Sequence, residues 1–343
     1  MSVRTELGEG PSIVEGLLDM AVGPIDEVAR AVRARTIDLI VIAARGTSDH
    51  AAIYAQYVLG ARNGLPVALA APSLASLYGT PPRLHNALVL GISQSGRSPD
   101  VVAVLEDARR QGALTVGITN DPTSELAAAG DHIVQLEAGP ERAIAATKTY
   151  LAEIAVIAML SSALAGDATS RAELHALPVA LRAALLAEDT VERLADAYAT
   201  EDRCVVLGRG FHYATAREWA LKLKELAYVL ADPYSAADFQ HGPIALVQDG
   251  FPVLAVATTG PTLPGMVELL RRLRDARARL FVLSDDPAAL VLGDGVPLPV
   301  GVPEWLAPLV AIIPAQLFAY HLARTRGLDP ETPRNLSKVT LTR

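Results

Sequence analysis

Apolar runs and short polar turns alternate along this chain in a fixed order. A run of Val, Ile and Leu ends in a Gly/Ser/Thr-rich turn, and a stretch with helical spacing of apolar residues follows. The clearest such helix is predicted to begin at Pro99 and to stop at Gly112. Strands that alternate with helices of ten or more residues predict parallel sheets with right-handed crossovers, which is an α/β fold.

The same pattern occurs twice, at a constant offset of 164 residues. The matching positions are Arg45-Gly46 and Arg209-Gly210, Gly96 and Gly260, and Asp121 and Asp285. Three matching junctions at one offset indicate a duplicated unit. We therefore predict two tandem doubly wound α/β domains, joined by a helical stretch at 149–187 that is broken at Pro178. The predicted bounds are a lead segment at 1–24, domains at 25–185 and 186–325, and a tail at 326–343.

Composition limits the kind of protein this can be. A chain of 343 residues, 51% of them apolar, suits two domains with sizeable cores. The net charge of −8 argues against nucleic acid or an anionic membrane as the main partner. The N-terminus has no apolar signal region, and the longest apolar tract carries Glu153 and is short for a membrane span. We expect a soluble cytoplasmic protein.

Lysine and cysteine usage is more informative than net charge. The chain has four lysines, Lys148, Lys222, Lys224 and Lys338, while the other 26 basic residues are arginine. A retained lysine can form an imine through its amine, which arginine cannot do. The single cysteine, Cys204, lies in the apolar run "RCVVLG", which predicts a small buried strand residue instead of a nucleophile.

The stretch "SQSGRS" at 93–98 is a candidate phosphate site. It follows a predicted strand and leads into a helix N-terminus, where backbone N–H groups and the helix dipole favour an anion. The alternative is that these serines only cap the helix. Neither a P-loop nor a dinucleotide-binding glycine pattern is present. In the second copy, "ATTGPTLP", Pro261 removes an N–H donor, so we expect phosphate binding in the first copy alone.

A second cluster of candidate residues lies in the other half of the chain. Glu218, Lys222 and Glu225 share one helix face, either as a cluster with a chemical role or as a solvated ion-pair ladder. His241 follows in a rigid turn beside Gly242 and Pro243, a common setting for a working histidine. The other six histidines are scattered, and we expect neither a catalytic metal nor a cofactor.

From end to end, the chain resembles the isomerase half of glutamine:fructose-6-phosphate amidotransferase, which is a tandem pair of sugar isomerase (SIS) domains of flavodoxin-like type. The matching stretches are "RGTS" at 45–48, "SQSGRS" at 93–98, "AIAATKTY" at 143–150, "GRG" at 208–210, "ALKLKE" at 220–225, "QHGPIAL" at 240–246 and "PRNLSKVT" at 333–340, with "ELGEGP" at 6–11 similar to the start of that half. The glutaminase half, which has an N-terminal cysteine nucleophile, has no counterpart here.

The resemblance implies a role for each matching residue. The residues implied to hold the sugar phosphate are Thr47, Ser48, Ser93, Gln94, Ser95 and Ser98. The backbone of Ile144 and Ala145 would lie near the sugar hydroxyls, and Lys222 and Glu141 would be supporting charges. Glu225 would move the proton between C1 and C2, Lys338 would form an imine, and His241 would open the ring from the partner subunit of a homodimer.

These roles imply an isomerising deaminase that converts glucosamine 6-phosphate and water to fructose 6-phosphate and ammonia. We expect the ammonia-releasing direction because no glutaminase supplies ammonia. A fructosamine-6-phosphate deglycase, a galactosamine-6-phosphate deaminase and a non-catalytic sugar-phosphate sensor are the alternatives. The chain departs from the family pattern at Arg97, where the family usually has Glu, and at Asp238 and Gln240. Arg97 bears on which substrate is used.

Overall fold

A computed structural model describes residues 2–338. Residue 1 and residues 339–343 lie outside the described part, including the last two residues of the matching stretch 333–340. The helices are α1 Val3–Met20, α2 Val22–Arg33, α3 Thr47–Asn63, α4 Ser73–Ser76, α5 Pro99–Arg110, α6 Glu125–Ala129, α7 Lys148–Ala165, α8 Ala168–Leu185, α9 Glu188–Ala197, α10 His212–Leu226, α11 Ala236–Phe239, α12 Leu263–Asp275, α13 Pro287–Leu290 and α14 Ala307–Thr325. The strands are β1 Leu39–Ala43, β2 Val67–Leu69, β3 Ala87–Ile92, β4 Leu114–Thr119, β5 His132–Gln135, β6 Arg203–Gly208, β7 Leu230–Ser235, β8 Pro252–Val256, β9 Arg279–Ser284 and β10 Asp294–Pro297.

The described residues form two compact units that are each discontinuous in sequence. One, here called the N-terminal unit, comprises 12–142, 148–175 and 337–338. The other, the C-terminal unit, comprises 2–11, 143–147 and 176–336. The contiguous bounds proposed from the sequence stay a prediction.

The N-terminal unit is built on a five-stranded parallel sheet in the order β2-β1-β3-β4-β5. All six residues of β3 and all six of β4 are buried, as expected for central strands that are covered on both faces. One core cluster packs Val89, Val101 and Leu105 between the sheet and α5. The predicted helix is confirmed, since α5 begins at Pro99 and ends at Arg110.

The C-terminal unit repeats this arrangement, with a parallel sheet in the order β10-β9-β8-β6-β7. Read from the β7 edge, the order of strands matches that of the N-terminal unit. The doubly wound, duplicated α/β fold predicted from the sequence is therefore confirmed. Four aromatic rings, Tyr198, Trp219, Phe281 and Phe318, pack edge to face or tilted against one another in its core.

The predicted helix break at Pro178 is wrong. Pro178 lies inside the continuous helix α8, and the break falls earlier, between α7 and α8. There Gly166 has a φ of +70°, which ends α7, and the Asp167 carboxylate accepts a hydrogen bond from Ser170 N–H at 2.7 Å in the first turn of α8. A glycine and an N-cap therefore decide the boundary, and the proline is accommodated within the helix.

Cys204 and helix α7 are both buried, as their apolar sequence suggests. Cys204 is buried in β6, as predicted, and burial raises the pKa of its thiol to about 12. Among the described helices, α7 is long and apolar enough to cross a membrane, yet 83% of it is buried within the protein. That burial is typical of a core helix.

The turn that follows β8, residues 257–262, is here called the threonine turn, and two side chains of the C-terminal unit bond to it. His212 lies 164 residues after Ser48, and its Nε2 is 2.6 Å from Oγ1 of Thr258. The Glu304 carboxylate accepts a hydrogen bond from Thr262 Oγ1. A Cβ at Gly260 would lie 2.4 Å from Cδ of Glu304. A carboxylate thus already occupies the side of this turn that faces Gly260.

Burial lowers the pKa of His212 from 6.5 to about 3. As pH falls below about 6.5, the unfolded chain binds a proton at this histidine and the folded chain does not. We expect the free energy of unfolding to decrease by about 1.4 kcal/mol per pH unit from this group down to about pH 3.

Urea titrations from pH 7 to pH 4 measure how the free energy of unfolding changes with pH. The variant His212→Gln should lose the part of this slope that comes from His212. The matched control is His85→Gln, at an exposed position, which should keep the slope of the parent. An unchanged slope in His212→Gln would contradict the assignment.

Candidate functional site

The order of strands puts two of the predicted motifs side by side at one edge of the N-terminal sheet. β1 and β3 are neighbours, but the chain continues from β1 to one side and from β3 to the other. Such a switch point at the carboxyl ends of parallel strands is where α/β proteins bind ligands. The turn after β1 leads through Gly46, with a φ of +56°, to Thr47 and Ser48 in the first turn of α3.

The turn after β3, residues 93–98, is here called the serine turn. The hydroxyl oxygens of Ser93 and Ser98 lie 3.4 Å apart at the N-terminus of α5. Ser93 Oγ accepts a hydrogen bond from Gly96 N–H, and Ser95 Oγ accepts one from Arg97 N–H. Ser98 is the N-cap residue but makes no side-chain capping bond, so helix capping does not account for it.

Gly96 is needed in the serine turn for two reasons. Its φ is +64°, a left-handed conformation that favours glycine. A Cβ at this position would also lie 2.0 Å from Ser124 Oγ and 2.8 Å from Thr119 Oγ1. The close neighbours of this glycine are thus side chains at the end of β4 and in the turn after it.

Two ion pairs flank the serine turn. Arg45 Nε lies 2.6 Å from the buried carboxylate of Asp100, which also accepts the N–H of Val101 at 2.9 Å. Arg97 is mostly exposed, and its guanidinium lies 3.3 Å from the carboxylate of Asp121. Hydrogen bonds from Thr123 hold the pKa of Asp121 below its usual value, and Arg97 adds to that effect. Asp100 is not among the residues predicted from the sequence, although an acidic residue in a first helical turn is a recognisable signal.

Ser48 makes its hydrogen bond to another buried residue. Its hydroxyl donates to Glu153 Oε1 at 2.7 Å, and both residues are almost wholly buried. An anion that takes a hydrogen bond from Ser48 would have to compete for this proton.

Glu141 and Lys338 form an ion pair in the N-terminal unit. Lys338 Nζ lies 2.7 Å from Glu141 Oε2, and the Glu141 side chain is fully buried. The same carboxylate accepts hydrogen bonds from Thr149, from the backbone N–H at 3.2 Å and from the hydroxyl at 2.7 Å. Glu141 therefore fixes the amine of the candidate imine-forming lysine.

In the C-terminal unit, helix α10 carries Glu218, Lys222 and Glu225. Glu218 and Lys222 are fully buried, and Lys222 Nζ lies 3.4 Å from Glu218 Oε1. Lys222 also donates to Glu225, whose side chain remains 20% exposed. This cluster is not a solvated ladder, because two of its three charges have no exposed surface.

The remaining predicted residues also lie in the C-terminal unit. His241 is exposed, in the turn between α11 and the 3-10 helix Pro243–Leu246. Ile144 and Ala145 belong to the segment 143–147. The fully buried Glu6 of α1 accepts a hydrogen bond from Ala143 N–H at 3.1 Å. This role of Glu6 is not predictable from the sequence, because 137 residues separate it from its partner.

The structure thus divides the predicted site residues between the two units. The N-terminal unit has Thr47, Ser48, Ser93, Gln94, Ser95, Ser98, Glu141 and Lys338, and the C-terminal unit has Ile144, Ala145, Lys222, Glu225 and His241. Within residues 2–338, no group of three or more His, Cys, Asp or Glu side chains is arranged to hold a metal ion.

Comparisons with known proteins agree with this fold. The curated glutamine–fructose-6-phosphate aminotransferase (isomerizing) of Zymomonas mobilis is 34% identical over 98% of this chain, which spans 58% of that protein's length. A proposed phosphosugar isomerase from Silicibacter pomeroyi is 36% identical, with a TM-score of 0.87 over 95% of this chain and 98% of that one. The C-terminal domain of the glucosamine-fructose-6-phosphate aminotransferase from Francisella tularensis is 26% identical, with a TM-score of 0.88 over 96% of this chain and 97% of that one.

The SIS domain family model matches this chain twice, at residues 35–163 and 197–326. The two matches cover most of the chain, and each contains one of the two parallel sheets. The chain therefore belongs to the SIS family and contains two SIS domains in tandem.

Proposed function

We propose that this chain is an enzyme that isomerises and deaminates an amino-sugar phosphate. The reaction is glucosamine 6-phosphate plus water to fructose 6-phosphate plus ammonia. The names of the similar proteins support the general class, because they are a phosphosugar isomerase and enzymes that act on fructose 6-phosphate. The family resemblance of the motifs supports the individual roles.

The observation that carries the proposal is the charge arrangement around Glu225. Its carboxylate is partly exposed and therefore able to contact a substrate, and the fully buried Lys222 forms an ion pair with it. A carboxylate held in one orientation suits a proton transfer that needs hydrogen-bond reach to a carbon acid.

In the proposed reaction, His241 opens the sugar ring to the aldehyde. Glu225 removes the proton from C2, which gives an enolamine, and returns a proton to C1. The C1 carbon becomes a CH₂OH group and C2 becomes an iminium carbon. Ammonia then leaves C2, and hydrolysis of the lysine imine that replaces it gives the ketone of fructose 6-phosphate.

Lys338 is the proposed imine-forming residue. Its amine would add to C2 of the iminium, ammonia would leave, and water would then hydrolyse the new C2–N bond. Its ion pair with the buried carboxylate of Glu141 supports this role, because the pair holds the amine in one place. The amine becomes a nucleophile only after it loses a proton.

The serine turn is the proposed phosphate site. The converging hydroxyls of Ser93 and Ser98, the N-terminus of α5 and the nearby Arg97 guanidinium all favour an anion. The threonine turn is proposed not to bind phosphate, because Pro261 lacks an N–H and Glu304 places a carboxylate there.

The ammonia-releasing direction is also part of the proposal. The one cysteine of the 343 residues is buried, and its thiol has a pKa raised to about 12. Such a thiol is a poor nucleophile, so Cys204 is given no role in the proposed reaction. The hydrolase class, a homodimer that receives the exposed His241 from its partner, and a cytoplasmic location complete the proposal.

A deglycase that acts on a fructosamine 6-phosphate is the second candidate. A glycated amino acid carries a carboxylate that the free sugar phosphate lacks, and Arg97 places an exposed guanidinium beside the serine turn. The C4 epimer, galactosamine 6-phosphate, would be deaminated by the same chemistry.

A substrate profile tests the proposal. We expect release of ammonia together with fructose 6-phosphate when purified protein is incubated with glucosamine 6-phosphate. Galactosamine 6-phosphate and fructosamine 6-phosphates are assayed in parallel, as is glucosamine without phosphate. Faster turnover of a glycated amino acid would replace the deaminase with the deglycase, and sugar-phosphate binding without any turnover would favour a sensor.

The variant Glu225→Gln should abolish turnover and still bind the sugar phosphate, because Gln cannot move a proton from C2 to C1. We expect kcat to fall by roughly 10²- to 10⁴-fold. Calorimetry with the unreactive sorbitol 6-phosphate checks binding, and the exposed Glu268→Gln serves as the control that keeps full activity. Near-normal rates in Glu225→Gln would refute the proton-transfer role.

The variant Gly96→Ala should lose affinity for inorganic phosphate and for sorbitol 6-phosphate, because the new Cβ would displace the serine turn from Ser124. Gly64→Ala is the matched control, since Gly64 has a φ of +66° but no atom within 4 Å of its Cβ position. That variant should cost about 1–2 kcal/mol of stability from backbone strain. It should leave phosphate affinity unchanged in calorimetry. Equal affinity in the two variants would argue against the serine turn as the phosphate site.

A further inference from the structure

Asn120 connects three turns at the carboxyl edge of the N-terminal sheet. It follows β4, and its backbone N–H donates to the carbonyl of Gln94 in the serine turn at 3.1 Å. Its side chain reaches the turn after β5, where Nδ2 donates to the carbonyl of Gly139 at 2.7 Å and Oδ1 accepts from Ala138 N–H at 3.0 Å. One residue therefore touches the turns that follow β3 and β5 and belongs to the turn that follows β4.

An asparagine is the side chain that suits this position. One neighbour is a donor and the other an acceptor, so the side chain must offer one of each. Asp would place a carboxylate oxygen against the Gly139 carbonyl, and Ala would leave both backbone groups without this partner. The amide of Asn120 satisfies both at once.

The turn that Asn120 holds has an unusual backbone conformation. Glu137 has a φ of +48° and Gly139 a φ of +61°. A left-handed conformation at a residue other than glycine is costly, and it persists where surrounding contacts enforce it. The hydrogen bonds to Ala138 and Gly139 are such contacts, because Ala138 lies between the two left-handed residues and Gly139 is one of them.

The same turn carries the residue that fixes Lys338. Glu141 lies two residues after Gly139, and its buried carboxylate holds Lys338 Nζ at 2.7 Å. A displacement of the turn would therefore displace the amine. A chain of contacts thus links the serine turn to Lys338. Gln94 bonds to Asn120, Asn120 bonds to the turn at 138–141, and Glu141 in that turn bonds to Lys338. All of these residues lie in the N-terminal unit.

The duplicated C-terminal unit provides an internal comparison. The counterpart of Asn120, 164 residues later, is Ser284. Its short side chain donates to the carbonyl of Ala257 and accepts from Asp286 N–H at 3.0 Å. The Ser284 side chain thus bonds to the turns after β8 and β9, and only its backbone carbonyl reaches the turn after β10, where it accepts from Leu298 N–H at 2.8 Å. The side chain of Asn120, in contrast, itself reaches the turn after β5.

We propose that Asn120 is a positioning residue that holds the Glu141–Lys338 pair in register with the serine turn. The inference deepens the proposed function and rests on it, since Lys338 is the proposed imine-forming residue there. Asn120 itself touches no reacting atom. It acts through the turn at 138–141, so its loss should impair catalysis more than phosphate binding.

The test compares Asn120→Ala with Ser284→Ala, the same deletion at the duplicate position. The first measurement is acetylation of lysines by acetic anhydride, followed by peptide mass spectrometry. With four lysines in the chain, Lys338 is compared with the exposed Lys224 in the same sample. We expect the Lys338/Lys224 labelling ratio to rise roughly fivefold in Asn120→Ala, from the loss of hydrogen bonds that hold the turn. It should stay within about twofold of the parent in Ser284→Ala.

The second measurement separates positioning from a general loss of structure. In Asn120→Ala, kcat for ammonia release from glucosamine 6-phosphate should fall roughly 10- to 100-fold, because the reacting groups are displaced. The stoichiometry and Kd of inorganic phosphate in calorimetry should stay within about threefold of the parent, since Gln94 still receives the backbone N–H of residue 120.

The two measurements can fail separately. If the labelling ratio of Lys338 is unchanged in Asn120→Ala, the positioning role is overturned whatever the activity. If phosphate binding is lost together with activity, Asn120 supports the fold of the whole edge and the positioning role is also overturned. If the parent protein releases no ammonia, the proposed function fails, and the labelling ratio still decides whether Asn120 positions Lys338.

Discussion

Parallel pairing of strands is the constraint on which the rest of this structure depends. All strands of a parallel sheet point one way, so every turn that follows a strand lies at the same edge. In the N-terminal unit this brings together Ser48 after β1, the serine turn after β3, Asn120 after β4 and Glu141 after β5. These residues are far apart in the chain, and no local preference would collect them.

Both duplicated units are subject to this constraint, but the side chains at their equivalent turns differ. Both units have the same order of strands and equivalent turns. In the N-terminal unit the serine hydroxyls converge at a helix N-terminus. In the C-terminal unit the neutral His212 and the carboxylate of Glu304 occupy the corresponding turn. One copy therefore keeps a place for an anion, while in the other a buried imidazole and a carboxylate bond to the threonine residues of the corresponding turn.

Buried charge is the other recurrent feature, and it was only partly visible in the sequence. Helical spacing placed Glu218, Lys222 and Glu225 on one face, but it could not distinguish a solvated ladder from a buried cluster. Burial of Lys222 is tolerated because carboxylates neutralise it on both sides. Glu141 is likewise buried against Lys338 and Thr149. Charges held in this way cannot rotate freely, which is what a proton or imine transfer requires of its supporting groups.

The sequence by itself determined the α/β class, the duplication, the helix from Pro99 and the burial of Cys204. Those features depend on local periodicity, on turn residues and on composition, all of which are read along the chain. The tertiary structure alone decided that α8 continues through Pro178, that Gly96 packs against Ser124, and that Glu153 and Asn120 hold the turns around the predicted site. Each of these depends on contacts between segments distant in sequence, and a single sequence contains no signal for which distant residues will meet.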